Sequence, residues 1–338
     1  MSAMKISDYI DAVSRYRSHI MGFSILCILF FHGGVRLAEP WNYFLNLLWG
    51  VDIFFFCTGM GLHRSLEQGG DTLDFYKRRF SRIYPAYLPV IVLFFVPVLT
   101  GAAAQGQLPK ALQELLGNVL MLGWINRMGN QFNWYPQVVC LLYLAAPAFF
   151  LAVRRMDGSV KRLAAFFGLF LVSQICFFNS HFLIAWSRLL YFLMGLIAAE
   201  LAQRRPDLKL NRPLLIAAFF AGNLLMYYGQ RFPTDILWGY GLSWYPGLLI
   251  VPGAMLLLPW VFSALSRAKW LRWINALLAL MGKWSFEIFL VHLLVFSYMN
   301  ILHIEPAGNL AWLAVIAACV PLSVGYGKLI ERLRRRAQ

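Results

Sequence analysis

Charged residues are scarce in this sequence, and acidic residues are the scarcest of them. Asp and Glu number 15 against 30 Lys and Arg, and the four types together make up only 13% of the 338 residues. Because soluble domains carry about 25% charged residues, this composition excludes that class of protein. The sequence also lacks a hydrophilic stretch long enough for a soluble domain, a low-complexity tract and a convincing internal repeat. A single domain is therefore predicted over residues 1–338.

Three further features that the sequence lacks narrow the class of protein to which it can belong. Alternation of apolar and polar residues with a period of two is not evident, which favours helices over a closed β-barrel. The five cysteines all lie inside apolar runs without metal-like spacing, so we expect buried thiols and no metal site. A cleavable signal is not expected, because the first 18 residues carry Asp8, Asp11, Arg15 and Arg17 and the next apolar run leads directly into a second one.

Hydrophobic residues, in contrast, make up 60% of the chain, and the mean hydropathy is +0.62. Ten apolar runs approach the ~20 residues that a helix needs to cross a bilayer. They are residues 20–37, 43–62, 83–100, 135–153, 163–178, 182–199, 214–228, 244–262, 286–302 and 310–326. These runs predict an all-α, polytopic membrane helix bundle of about ten transmembrane helices. One more run, residues 112–125, is short for a span and is predicted not to cross.

The formal net charge of +15 would indicate nucleic-acid binding if it were gathered on one soluble face. Here the basic residues are instead concentrated in alternate segments between the predicted spans. With ten spans and a cytoplasmic N-terminus, most of the 30 Lys and Arg fall in cytoplasmic segments. The positive-inside rule therefore predicts that both termini are cytoplasmic, and a nucleic-acid partner is not expected.

His32 is the first candidate site residue, because an ionisable side chain at membrane depth is costly and usually has a function. It follows Ile20 by 12 residues, which is about 18 Å along a helix. Asp52 precedes Leu62 by 10 residues, about 15 Å from the same membrane face. The two side chains are therefore predicted to share a cavity between adjacent spans. The alternative is that Asp52 caps its span and His32 bonds to a backbone carbonyl.

A basic block at residues 77–82 is a candidate anion site. Arg78, Arg79 and Arg82 have helical spacing that points their guanidinium groups toward a common side. Arginine binds phosphate oxygens through paired hydrogen bonds, so a phosphate-rich ligand is predicted to dock here. The alternative is that these residues only set the topology and contact anionic lipid headgroups.

The ninth predicted span contains two further ionisable residues, Glu287 and His292. Glu287 is rotated by roughly 140° from His292 on a helix, so the two need not touch. Each is costly at its depth and is a candidate for substrate contact. The remaining histidines, among them His63, fall near the predicted membrane boundaries and are interpreted as structural residues that reach water or headgroups.

Aromatic residues gather near the predicted outer face. Trp134 and Tyr135 open the fourth span, and an aromatic loop occupies residues 230–246, with Trp238, Tyr240, Trp244 and Tyr245. Because aromatic faces pack against the CH faces of sugar rings, this region is a candidate acceptor site. An ordinary aromatic belt at the membrane interface is the alternative.

Several of these motifs resemble the membrane-bound acyltransferase family 3, which includes bacterial enzymes that O-acylate cell-surface glycans. They run in the family's order along essentially the whole chain. The positions are residues 29–32, 50–59, 75–79, Arg82, Ile83, Pro85, Tyr87, Trp134, Tyr135, Tyr143 and Pro147, then residues 280–286 and 290–292.

The resemblance implies a multi-pass protein of the plasma (inner) membrane that moves an acyl group from cytoplasmic acyl-CoA, with acetyl-CoA as the expected donor. The expected acceptor is a hydroxyl of a cell-envelope glycan on the other side of the bilayer. His32 matches the family's essential histidine, and Arg79 and Arg82 match its Arg-x-x-Arg pair. We expect His32 to act as general base, Asp52 to orient its imidazole or stabilise its cation, and the arginines to hold the phosphates of coenzyme A.

Two positions depart from the family pattern. Met21 stands where many members carry an arginine, and Val139 and Cys140 replace residues that are often acidic. Arg15 or Arg17 is a candidate substitute for the missing arginine. The alternative function is a proton-coupled transporter or flippase with a relay of the four ionisable residues His32, Asp52, Glu287 and His292, although the lack of repeats counts against it. A sensor without turnover is the third hypothesis.

Overall fold

The computed structural model describes residues 3–47, 49–123, 134–180, 183–232 and 242–337. Its α-helices are α1 (Ile6–Arg15), α2 (Arg17–His32), α3 (Trp41–Leu45), α4 (Gly50–Glu67), α5 (Thr72–Ala104), α6 (Leu108–Val119), α7 (Trp134–Arg154), α8 (Ser159–Ser180), α9 (Leu183–Trp186), α10 (Leu189–Arg204), α11 (Arg212–Arg231), α12 (Gly247–Arg267), α13 (Arg272–Lys283), α14 (Ser285–Ile301) and α15 (Asn309–Ala337). Strands β1 (Met4–Lys5) and β2 (Lys209–Leu210) form one short antiparallel pair. The predicted all-α class is confirmed.

Every one of the ten apolar runs is helical over at least part of its length. Within the described part of the chain, five segments are long and apolar enough to cross a membrane, or six if α13 and α14 are counted as one broken span. The five are Trp41–Glu67, Thr72–Ala104, Trp134–Arg154, Leu242–Arg267 and Asn309–Arg336. The chain is therefore a membrane protein, while the number of ten spans stays a prediction.

Helix α6 covers residues 112–119 of the short apolar run that was predicted not to span. Its 12 residues give a length of about 18 Å, less than the ~30 Å of the hydrocarbon core. Two tyrosines of α5 hold its C-terminal end, because Tyr84 donates to the carbonyl of Val119 (2.6 Å) and Tyr87 to that of Asn118 (2.9 Å). The last two residues of the run, 124 and 125, lie outside the described residues.

The chain forms two compact units, and each is discontinuous in sequence. Unit 1 comprises Met1–Ser24, Leu47–Gly70 and Ala145–Lys283, and unit 2 comprises Ile25–Asn46, Asp71–Leu144 and Trp284–Gln338. The prediction of a single domain therefore stays a prediction.

Unit 1 is organised around a close contact between α4 and α10. A Cβ atom on Gly59 would lie 2.1 Å from the carbonyl oxygen of Phe192, and one on Gly195 would lie 2.1 Å from that of Phe56. Such distances are far below van der Waals contact, so glycine is required at both positions. Since lipid tails are as apolar as the helices, membrane helices depend on such close backbone packing rather than on the hydrophobic effect.

Unit 2 is organised around α5, which contacts α6, α14 and α15. Three prolines interrupt the hydrogen bonding of α5, and Pro97 cannot donate to the carbonyl of Leu93 one turn earlier. The hydroxyl of Tyr298 on α14 donates to that carbonyl instead (2.7 Å). A tyrosine therefore satisfies a backbone group that proline leaves open, as a membrane interior demands.

Candidate functional site

Helix α2 ends at His32, five residues before the end of the apolar run 20–37, from which a longer span was predicted. Gly33 and Gly34 follow, and the second of these is required by packing, because a Cβ atom there would lie 2.1 Å from Nε1 of Trp312. At the membrane depth that the sequence predicts for His32, non-helical backbone is tolerated only inside protein or beside a wet cavity. His32 stands at that transition, and the predicted helix end at Leu37 is wrong.

The segment after His32 is held by side-chain hydrogen bonds within unit 2. Arg36 donates through Nη1 to the carbonyls of Gly33 (3.2 Å) and Val35 (3.1 Å), which supplies donors where the helix ends. The backbone N–H of Arg36 donates to Oδ1 of Asn309 (2.9 Å), and Nδ2 of Asn309 donates to the carbonyl of Arg36 (2.7 Å). These bonds hold the chain directly behind His32 against the start of α15.

His32 and His292 form a hydrogen-bonded histidine pair. Nδ1 of His32 lies 2.9 Å from Nε2 of His292, and the two rings are nearly parallel, with centroids 5.2 Å apart. Nδ1 of His292 lies 2.8 Å from the carbonyl oxygen of Ile288, one turn earlier in α14. His292 is fully buried, whereas the His32 side chain remains accessible. One imidazole of the pair is therefore a buried internal partner, and the other is exposed at the surface of the protein.

The sequence analysis places His32 with Asp52 and His292 among the substrate contacts, and it joins the two histidines only in the alternative proton relay. Spacing along one helix carries no information about a partner 260 residues away, so the sequence does not predict this hydrogen bond.

Asp52 lies in the first turn of α4, within unit 1, and its partner there is Arg188. Oδ1 of Asp52 is 2.9 Å from Nε of Arg188, and both side chains are only 1% exposed. The guanidinium group of Arg188 also lies 4.8 Å from the ring centre of Trp244. Residue 52 does not cap α4, since the N-cap is Trp49 and no side-chain capping bond forms.

The ion pair between Asp52 and Arg188 concerns the predicted cavity of Asp52 with His32 and the choice of site residues. His32 belongs to unit 2, so its predicted shared cavity with Asp52 stays a prediction. Arg188 lies in the apolar run 182–199 and is not among the predicted site residues. An arginine inside an apolar run is a signal of the same kind as a histidine there, so the sequence did contain the information to select it.

The three arginines of the predicted anion site lie in the first third of α5. Arg78 and Arg82 are exposed, and Arg79 is half-buried. The guanidinium group of Arg79 lies 5.4 Å from the ring centre of Phe75 and 6.0 Å from that of Tyr143 on α7. These cation–π contacts hold the guanidinium of Arg79 between two aromatic rings.

Glu287 lies within electrostatic reach of this arginine group. The charged side chains that act on its carboxylate are Arg82, Arg334 and Glu331. Arg334 belongs to the basic C-terminal tail, which is predicted to be cytoplasmic. Along α14, Glu287 precedes His292 by five residues, or about 7.5 Å. Helix α14 therefore connects the arginine group to the histidine pair within unit 2.

Trp134 and Tyr135, the candidate acceptor contacts, reach the histidine pair through a chain of aromatic rings. The ring of Trp134 packs edge-on against Tyr135 (6.2 Å between centroids), and Tyr135 contacts Phe289 (4.8 Å). Phe289 in turn packs edge-on against His292 (5.6 Å). The structure thus brings together residues from α2, α7 and α14 that the sequence could only place in separate spans.

The aromatic loop at residues 230–246 is described only in part. Trp238 and Tyr240 lie outside the described residues. Trp244 and Tyr245 belong to unit 1, where Trp244 covers Arg188 and the hydroxyl of Tyr245 accepts a hydrogen bond from Nε2 of Gln174 (2.8 Å). The predicted acceptor site between this loop and Trp134 therefore stays a prediction.

His63 is a correction to the sequence analysis, which expected it to reach water or headgroups. Its side chain is 2% exposed, and Nε2 lies 2.6 Å from Oε2 of Glu200 on α10. Arg204, one turn further along α10, also pairs with Glu200. The structural role assigned to His63 is supported, but the side chain is held by a buried carboxylate.

A family model described as an acyltransferase domain, that of acyltransferase family 3, matches residues 20–327 of the chain. The match includes every candidate site residue on α2, α4, α5, α7 and α14. No curated protein and no solved structure matches the chain. Across the ranges that the structure describes, no group of three or more His, Cys, Asp or Glu side chains is placed to hold a metal ion.

Proposed function

The chain belongs to acyltransferase family 3, and we propose that it is an O-acyltransferase of the plasma membrane. In this proposal it moves an acyl group, with acetyl as the expected one, from cytoplasmic acyl-CoA to a hydroxyl of a cell-envelope glycan on the other side. The observation that carries the proposal is the accessible imidazole of His32, hydrogen-bonded to a buried His292 inside an acyltransferase domain.

His32 is proposed as the general base, since neutral imidazole is well suited to take a proton near pH 7. The acceptor hydroxyl gives its proton to His32 while its oxygen attacks the thioester carbon of acyl-CoA. A carbon–oxygen bond forms and the carbon–sulfur bond breaks. Coenzyme A leaves as a thiolate and takes up the proton, so His32 returns to the neutral form. The role predicted for Asp52, orienting the imidazole or stabilising its cation, remains part of the proposal.

Donor binding is proposed for Arg78, Arg79 and Arg82. Two of the three are exposed, and Arg79 is held by aromatic rings, so their guanidinium groups suit the phosphates of coenzyme A. The proximity of Arg82 to Glu287 supports this assignment, because Glu287 lies only about 7.5 Å along α14 from the histidine pair. By the helix rise the pantetheine arm must reach about 18 Å from the cytoplasmic end of the first span to His32, a length that suits the arm when it is extended.

Replacing Arg79 and Arg82 together by Ala is expected to raise the KM for acyl-CoA by at least about 10-fold to 200-fold, which is the loss of one charge-assisted hydrogen bond of about 1.5–3 kcal/mol. Loss of two independent bonds of this strength would square that factor. Isothermal titration with the purified protein and acetyl-CoA measures the same loss as weaker binding. The matched control is Arg205→Ala with Lys209→Ala, which removes two exposed positive charges from another predicted cytoplasmic segment. Equal affinity for acetyl-CoA in the wild type, the double variant and the control would mean that Arg79 and Arg82 do not bind the donor and only set the membrane topology.

Acceptor binding is proposed for Trp134, Tyr135 and Glu287, with the aromatic rings packing against sugar faces. The sequence also predicts substrate contact for His292, but its side chain is fully buried and both ring nitrogens have partners, so it can act on the acceptor only through His32. Support comes from the ring contacts that run from Trp134 through Tyr135 and Phe289 to His292. Acceptor identity is tested by mass spectrometry of envelope polysaccharide and peptidoglycan from cells with and without the gene. Loss of an acetyl group from one glycan is the expected result, and loss from a small metabolite alone would defeat the glycan assignment.

The function itself is tested with the full chain in inside-out membrane vesicles that receive acetyl-CoA labelled in the acetyl group. We expect thiol release that depends on the protein and labelled acetyl esters on glycan inside the vesicles. Vesicles with the His32→Ala protein serve as the matched control. Proton-coupled uptake of a solute without thiol release would instead support the transporter hypothesis.

A further inference from the structure

The hydrogen bonds of His292 determine which of its ring nitrogens carries the proton. The carbonyl oxygen of Ile288 can only accept, so Nδ1 of His292, 2.8 Å away, must donate to it. A cationic His292 would place a buried charge against a neutral carbonyl and a second imidazole, which is a costly arrangement. His292 is therefore neutral, with its hydrogen on Nδ1 and a lone pair on Nε2.

The same reasoning extends to His32. Nε2 of His292 has only a lone pair to offer, so the 2.9 Å contact requires Nδ1 of His32 to be the donor. The hydrogen of neutral His32 then sits on Nδ1, and its Nε2 carries the lone pair. Because His32 is accessible whereas His292 is fully buried, that lone pair belongs to the histidine that a substrate can approach.

We propose that His292 is a positioning residue that holds His32 in the Nδ1–H tautomer, so that Nε2 of His32 is the nitrogen that accepts the substrate proton. The tautomer assignment follows from the hydrogen bonds alone, and its catalytic consequence rests on the proposed function. The chain of bonds runs from His32 through His292 to the backbone of α14. Of the two roles predicted for Asp52, orienting the imidazole then belongs to His292, and stabilising its cation stays with Asp52, whose partner in unit 1 is Arg188.

The packing around His292 explains why its ring is a suitable partner. Phe289 and Phe296 contact it edge-on, at 5.6 and 5.5 Å between centroids, from one turn before and one turn after. Phe296 is backed by Trp312 (5.6 Å), the residue against which Gly34 packs. Aromatic neighbours therefore hold the ring of His292 in place independently of its contact with His32.

The direct test is nitrogen NMR of the full-length protein in lipid nanodiscs with labelled histidine, because the two nitrogens of a neutral imidazole differ in chemical shift according to which one is protonated. The signals of His32 are identified by their loss in His32→Gln. We expect the Nδ1–H pattern for His32 in the wild-type protein. An Nε2–H pattern there overturns the proposal, and this measurement needs no variant of His292.

Two variants then test the role of His292. His292→Phe keeps an aromatic ring but removes the acceptor, so His32 is expected to shift toward the Nε2–H tautomer. His292→Gln returns an acceptor oxygen near the position of Nε2 and is expected to restore the Nδ1–H pattern in part. His303→Asn, in a loop where the backbone φ is +54°, is the matched control and should leave the His32 signals unchanged.

Kinetics separate this inference from the proposed function. In a protein that transfers acetyl, His292→Phe is expected to lower kcat on the order of 100-fold with the KM for acetyl-CoA unchanged, because the base is in the wrong tautomer. Partial recovery in His292→Gln is expected as well. An unchanged kcat in His292→Phe would overturn the positioning role. Absence of acetyl transfer in the wild-type protein together with the Nδ1–H pattern would defeat the proposed function and leave the tautomer assignment intact.

Discussion

Replacing His32 by Ala is expected to lower the rate of acyl transfer by about 10²-fold to 10⁴-fold, the range typical of a lost general base. Because the His32 side chain is accessible and stands at the end of α2, the change leaves the packing of unit 2 largely intact. The measurement is acetyl transfer from labelled acetyl-CoA in membrane vesicles, normalised to the amount of folded protein. The KM for acetyl-CoA is expected to stay within a few-fold of the wild-type value.

A chemical rescue sharpens this test. The removed imidazole leaves space beside His292, so adding free imidazole to His32→Ala is expected to restore part of the activity. His303→Asn serves again as the matched control, since it removes an imidazole from an exposed loop. If the His32→Ala protein transfers acetyl groups at nearly the wild-type rate, His32 is not a catalytic residue.

Replacing Arg188 by Met is expected to lower the free energy of unfolding by about 3–5 kcal/mol, since it leaves the Asp52 carboxylate buried without its partner. Both side chains are only 1% exposed, and the Met side chain keeps most of the volume of the arginine stem. Thermal unfolding of the purified protein in one detergent measures the effect. The double variant Asp52→Leu with Arg188→Met removes both charges and is expected to recover most of the lost stability.

The control for this pair is an accessible salt bridge of the same unit. Arg154 and Glu67 lie 3.3 Å apart with their side chains 45% and 29% exposed, so Arg154→Met is expected to change stability by only about 0–1 kcal/mol. Similar small losses in both arginine variants would contradict a tightly coupled buried pair. Acyl transfer by the folded double variant also tests the role of Asp52. Activity near that of the wild type means that Asp52 acts only on Arg188. A loss as large as that of His32→Ala supports the predicted catalytic role of Asp52.

Local composition was sufficient to predict the helices, because a run of about 20 apolar residues in a membrane must satisfy its own backbone hydrogen bonds. Each of the ten predicted runs is helical over at least part of its length, and α6, with 12 residues, is shorter than the helix that a bilayer requires. The ends of the helices were less predictable. Helix α2 ends at His32, and two residues later Gly34 packs against Trp312 of α15, a contact between segments that are far apart in the chain.

The candidate residues were found for a similar local reason. A histidine, acid or arginine in an apolar run is costly wherever it packs, so His32, Asp52, Glu287 and His292 were recognisable from the sequence alone. The arginines of α5 were recognisable from their spacing, and the family motifs indicated an acyltransferase. These properties depend on residue type and on neighbours within a few turns of one helix.

The partner of each candidate depends instead on which helices lie side by side. His32 meets His292 across 260 residues of sequence, Asp52 meets Arg188, and Tyr135 reaches His292 only through Phe289. A hydropathy pattern states how much apolar surface a helix has, but it does not state against which helix that surface packs. The composition and local patterning therefore determine the class, the helices and the residues able to do the chemistry, whereas long-range helix packing determines the pairs that they form.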